Sequence, residues 1–207
     1  MWWSRPRVND FRWVVLDVET SGLDVAHDRL LSIAAVAMHR VGERWELRTE
    51  DAFEVVLQQE APVDLDRRNV LVHGIGRQAQ REGVPALKAM NDFKAWLGDS
   101  PWMAYHAPFD RAFIQRQCRA LRLPPIGPAW LDLADLAPLM GIEARHPSLD
   151  DGLVAAGIEV AQRHHAMADA WATAQWWLCL WPRLRAQGRL SWAQVSSLAT
   201  QMRWLRR

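Results

Sequence analysis

The chain has 207 residues, half of them hydrophobic, and a formal net charge of only +1. That length suits one compact domain with a short appendage, and that apolar share excludes global disorder. The charge balance excludes a partner held by a large positive excess, although an enzyme that meets phosphates through bound cations needs no such excess.

The stretch Met1-Trp2-Trp3-Ser4-Arg5-Pro6-Arg7 lacks the apolar run of a signal peptide, and no segment has the length of a membrane span. The expectation is a soluble, cytoplasmic protein with no membrane partner. Residues 13–19 form a β-branched apolar run that reads as a buried strand. A turn follows at residues 20–24. Residues 30–38 read as a second strand, Gly42-Glu43 as a turn, and a third strand falls within 45–57, giving an antiparallel three-strand start. Helical patterns then take over at Asp66–Val72 and Pro85–Leu97, with His73-Gly74-Ile75-Gly76 between them. Residues 102–105 read as a short strand. Phe109–Leu121, Asp132–Met140, Ser148–Ala156, Met167–Arg185 and Ser191–Trp204 read as helices. Met167, Trp171, Ala174, Leu178 and Trp181 mark a buried stripe on the longest of them. Strands first and helices after suggest a mixed sheet with helices packed on it. Most of the thirteen tryptophans are expected in the core rather than as base-stacking platforms. Cys118 and Cys179 read as small buried hydrophobes with no disulfide framework.

Asp17 interrupts an apolar strand, where an unpaired carboxylate is costly and persists only with a compensating charge. Glu19 lies two residues on, facing the same side roughly 7 Å away. Such a pair can converge on a hard cation such as Mg²⁺ or Mn²⁺; a strand-end pair facing solvent is the equal alternative. Asp110 follows Tyr105-His106-Ala107-Pro108-Phe109 near a helix start, where an acidic residue also serves the helix dipole. Asp169 opens the long helix, with His164 five residues earlier. Alone, either could be an ordinary surface group.

Together the three segments resemble the DEDDh 3′–5′ exonuclease family, which includes the proofreading subunit of bacterial replicative polymerase. Leu16-Asp17-Val18-Glu19-Thr20 resembles its first motif, Ala107-Pro108-Phe109-Asp110 its second, and His164-x-Ala166-x-x-Asp169 its third. Ser21-Gly22-Leu23, His73-Gly74-Ile75, Ser148-Leu149-Asp150 and Gly157-Ile158 are similar too, and the likeness covers roughly residues 13–180. The resemblance implies a ribonuclease H-like α/β fold, a five-stranded mixed sheet flanked by helices. It implies residues 1–185 as the exonuclease domain, with 186–207 a helical extension packed on it. Asp17, Glu19, Asp110 and Asp169 would hold two divalent ions, Mg²⁺ or Mn²⁺, and His164 would act as general base. Thr20, Gly22, Leu23, His73, Ile75, His106 and Phe109 would contact substrate. His106 stands where the family often has Asn. Asp132 resembles a recurrent family Asp outside the metal set. The implied activity is 3′–5′ removal of nucleoside 5′-monophosphates from single-stranded DNA or RNA, with a polymerase as a candidate protein partner. The alternative is a catalytically silent binding module of the same fold.

Overall fold

A computed structural model of the chain describes residues 9–60, 73–127, 129–160 and 163–205. The helix expected at Asp66–Val72 lies outside them. Strands β1 (Arg12–Thr20), β2 (Leu30–Val41) and β3 (Arg44–Val56) form an antiparallel meander. Helices α1 (Arg77–Glu82) and α2 (Ala86–Leu97) then carry the chain to β4 (Trp102–Ala104), which runs parallel to β1. Helix α3 (Ala107–Ala120) returns it to β5 (Trp130–Asp132), parallel to β4. The sheet order is β3-β2-β1-β4-β5. A 3₁₀ helix (Leu133–Met140) and helices α4 (Leu149–Ala156), α5 (Ala166–Ala186) and α6 (Trp192–Leu205) complete the chain. This is the expected five-stranded mixed sheet flanked by helices.

Alternation along β1 assigns each face its layer. Trp13 and Val15 point toward α5, α6 and the 3₁₀ helix. Val14, Leu16 and Val18 point to the opposite face, against α2 and α3. Asp17 and Glu19 continue the first face, so the strand's own period aims them at the start of α5.

Two elements were not expected. Arg77–Glu82 buries only Gln80, so it carries no apolar period to read. Trp130–Asp132 is three residues long, too short for an alternating pattern. On α5, Ala170, Ala174, Trp176, Trp177, Leu180, Trp181 and Leu184 are buried, while Met167, Trp171 and Leu178 are only part-buried. The stripe read from sequence is thus buried at Ala174 and Trp181 and marginal at its other three positions, and the contact face is wider than the stripe because α5 packs on β1 and β2 and also against α4 and the 3₁₀ helix. Cys179 is likewise part-exposed, whereas Cys118 is buried, and both are free thiols.

The tryptophans are mostly core. Trp13 meets Trp45 at 4.6 Å, Trp177 at 5.3 Å and Trp192 edge-on at 5.0 Å between ring centroids. Trp192 brings α6 into this cluster together with buried Val195 and Ala199. We expect Trp192→Ala to lower unfolding free energy by about 3–5 kcal/mol, the usual range for emptying an aromatic core site, measured by urea denaturation. A loss under about 1 kcal/mol, typical of surface changes, would make α6 a separable appendage. Among the described residues no helix is long and apolar enough to cross a membrane.

Candidate active site

β4 is short and pairs only with Val14 and Val15 of β1. Beyond that point the β4 side of β1 is open, and α3 starts there. Asp110, in the first turn of α3, is buried and engages the backbone of Val18 across this opening. From the other face, Asp169 in the first turn of α5 is buried beside Glu19 and Asp17. Four carboxylates from three distant segments therefore share one electrostatic site.

Their proton affinities record the crowding. Asp17 is pushed well above the ordinary carboxylate range by desolvation, then by Asp110, Glu19 and Asp169, with Arg163 opposing. Burial is also the first cause of the rise at Asp110. Glu19 is pushed up to about 8 by burial and by Asp169. Enclosed oxygen donors that repel one another are the donor set a hard dication neutralises. As the side chains stand, no group of three acidic, histidine or cysteine residues among the described ones could hold a metal ion. Both oxygens of Asp169 are engaged within the chain: Arg163 Nη1 donates to its Oδ1, and the His164 backbone N–H donates to its Oδ2 at 3.0 Å.

A carboxyl raised in the folded state binds its proton more tightly than the unfolded chain does. Stability from such a group is complete below the unfolded pKa and is lost as pH rises to the folded one. For Glu19 that window runs from the ordinary 4.5 to about 8. In chelator the thermal midpoint should therefore fall across this window, and the fall should shrink in Glu19→Gln. A midpoint with the same pH slope in both proteins refutes the desolvated state of this carboxyl.

His106 has φ 63, the left-handed region that Asn and His enter more readily than most residues. That backbone demand suits a histidine at this turn. Its N–H donates to Asp132 Oδ1 at 2.9 Å, and Ala134 N–H donates to the same oxygen at 3.1 Å. Asp132 thus ties the turn before α3 to the start of the 3₁₀ helix.

His164 also has positive φ, at 60, and its side chain is exposed. The neighbouring His165 is the one that lines a cavity of about 40 Å³ with Glu19, Ser32, Glu54, His73 and Ile75. His73 is buried there; its Nδ1 accepts from Ile75 N–H at 3.1 Å, and its Nε2 has no hydrogen-bond partner among the described residues. The structure thus brings His73 and Ile75 to Glu19. His106 faces a separate hollow of about 230 Å³ with Asp132, Asp135, Arg145, His146 and Arg203. Phe109 is half-buried and packs on Phe113 at 4.9 Å.

The loop after β1 is rigidly held. Thr20 Oγ1 donates to Gly22 O at 2.6 Å, and Ser21 Oγ and Asp24 N–H both donate to the Asp28 carboxylate, at 2.9 and 2.8 Å. A Cβ on Gly22 would stand 2.4 Å from Asp28 Oδ2, so a larger residue there would have to push aside the carboxylate that braces Ser21 and Asp24. Leu23 is 84% exposed, an apolar side chain at the rim beside the carboxylates. Sequence reasoning had missed Arg163, whose single signal was its place next to the His-x-Ala-x-x-Asp motif, and Asp150 as its second partner.

The family model RNase_T, described as "Exonuclease", matches residues 14–176. Among curated proteins, the PolC-type DNA polymerase III of Staphylococcus aureus is 25% identical over 194 residues, 91% of this chain but 13% of that protein. Among solved structures, E. coli exonuclease I in complex with a dT13 oligonucleotide superposes with a TM-score of 0.70 at 20% identity, over 86% of this chain and 42% of that one. A zinc-bound E. coli exonuclease I complex with single-stranded DNA gives 0.70 at 20% identity, over 87% and 42%. At this identity the structural likeness is one of fold, and the chain spans less than half the length of those proteins.

Proposed function

The chain belongs to the exonuclease family whose model its residues 14–176 match, and from that premise we propose that it is a metal-dependent 3′–5′ exonuclease. It would hydrolyse the terminal phosphodiester of single-stranded DNA or RNA and release nucleoside 5′-monophosphates. The observation that carries this reading is the meeting of Asp17, Glu19, Asp110 and Asp169 in one desolvated, mutually repelling cluster.

In this reading Asp17, Glu19 and Asp169 would hold one divalent ion, and a second would depend on Asp17, with Asp110 helping directly or through water. When bound, Mg²⁺ or Mn²⁺ ions supply positive charge to the attacking and leaving oxygens of the phosphodiester. His164 takes the proton of the attacking water, a task suited to imidazole near neutral pH. The loop of Thr20, Gly22 and Leu23, braced by Asp28, receives the terminal nucleotide. His73 and Ile75 close the Glu19 side, and Phe109 and His106 the Asp110 side. Residues 1–185 form the exonuclease unit, and 186–207 extend it through α6. Action beside a polymerase is supported by the PolC-type relative.

The test is digestion of 5′-labelled and 3′-labelled single strands, matched as DNA and RNA, in Mg²⁺, Mn²⁺ or chelator. The expected result is a ladder shortening from the 3′ end of the 5′-labelled strand, with 3′ label released as mononucleotide, in dication only. Absence of dication-dependent degradation of either polymer would instead favour the catalytically silent module.

A further inference from the structure

Both carboxylate oxygens of Asp169 are engaged by consecutive residues, Oδ1 by the Arg163 guanidinium and Oδ2 by the His164 backbone N–H at 3.0 Å. The same guanidinium reaches outward, its Nε donating to Asp150 Oδ1 at 2.6 Å. Arg163 therefore bridges the first turn of α4 and the first turn of α5. Its two partners differ in setting: the Asp169 side chain is 7% exposed and that of Asp150 63%. Arg163 also acts against the raised proton affinity of Asp17 and Glu19, so its charge is felt by the cluster and not by Asp169 alone.

A guanidinium on a buried carboxylate and a dication on the same carboxylate do the same neutralising job. They cannot do it together at contact distance, because two cations that close repel strongly in a poorly solvated site. We infer that Arg163 is a positioning residue, a resident counter-charge on Asp169 that a divalent cation must displace, and that this displacement releases residues 163–165 to carry His164 toward the carboxylates. The inference rests on the proposed metal-dependent reading.

Three observations converge on it. The acidic cluster has the donor chemistry of a dication site, and one oxygen of its Asp169 is already taken by the Arg163 guanidinium. Arg163 is adjacent in sequence to His164. And His164 is exposed, in a left-handed conformation, while its N–H shares the carboxylate that Arg163 holds. Moving Arg163 off Oδ1 thus alters the segment that sets the His164 posture. Asp150 keeps the displaced guanidinium tethered at the rim, which makes the exchange reversible.

The experiment uses the full chain and two readouts. Mn²⁺ binding is measured calorimetrically for the wild type and Arg163→Gln. Mg²⁺ is titrated into ¹⁵N-labelled wild type while the Arg163 side-chain Nε–H and the His164 amide are followed. Arg163→Gln is expected to bind Mn²⁺ about tenfold tighter or more, since a charge competing at contact range is gone. The two wild-type resonances are expected to shift together, with the midpoint of Mg²⁺ binding. Wild type that binds Mg²⁺ without moving the Arg163 resonance overturns the inference while leaving the proposed function intact. Equal or weaker Mn²⁺ affinity in a folded Arg163→Gln protein overturns it as well, and would mark Arg163 as a structural tie between α4 and α5. Failure of both proteins to bind Mn²⁺ overturns the proposed function, and the inference with it.

Discussion

Asp17→Asn and Asp169→Asn are each expected to reduce nucleotide release by about 10⁴-fold or more, the scale seen when a group used by the whole reaction is removed. The two should differ in stability. Asp17 has a desolvated carboxyl crowded by Asp110, Glu19 and Asp169, so an uncharged isostere relieves repulsion and the chelated protein should melt higher. Loss of function with gain of stability is the mark of a strained functional site. Asp169 is instead paired with Arg163, so its amide leaves that guanidinium with Asp150 alone, and the melting temperature should not rise. Turnover of single-stranded oligonucleotide and thermal melts in chelator measure both effects. If either variant released nucleotides within about tenfold of wild type, a minor effect beside the rates at stake, the carboxylate assignment would fall.

His164→Ala should slow release by about 10²–10⁴-fold, the usual worth of a general base. His165→Ala is the necessary control, because His165 lines the cavity with Glu19 while His164 is exposed. The His-x-Ala-x-x-Asp spacing selects 164. A larger loss in His165→Ala than in His164→Ala would transfer the role to the histidine that lines the cavity with Glu19.

Much of the sheet was legible along the chain. β1 and β2 announce themselves because their apolar runs are long and the turns after them carry Gly22 and Gly42, whereas the largely polar β3 could be placed only within 45–57. The long helix was legible in type and its buried face only in part, at Ala174 and Trp181, since Trp176 and Trp177 also face inward where α5 packs on β1, β2 and α4 together. At the site, Asp17 and Glu19 could be read as a pair from strand period alone. Asp110 and Asp169 looked like ordinary helix-start acids until the resemblance linked them.

The sequence by itself determined which chemistry was available. It set two carboxylates on one strand face, two more at helix starts, a histidine five residues before the last, and enough tryptophan to build a core. Periods, propensities and spacings are local, and they survive in a linear reading. Only the tertiary structure decided that α3 enters where β4 stops pairing with β1, bringing Asp110 to Val18, and that Arg163 spans Asp150 and Asp169. It alone decided that His165 rather than His164 lines the cavity with His73 and Glu19. These outcomes depend on burial and charge contributed by residues far apart in the chain, and desolvation exists only once the layers have closed over them.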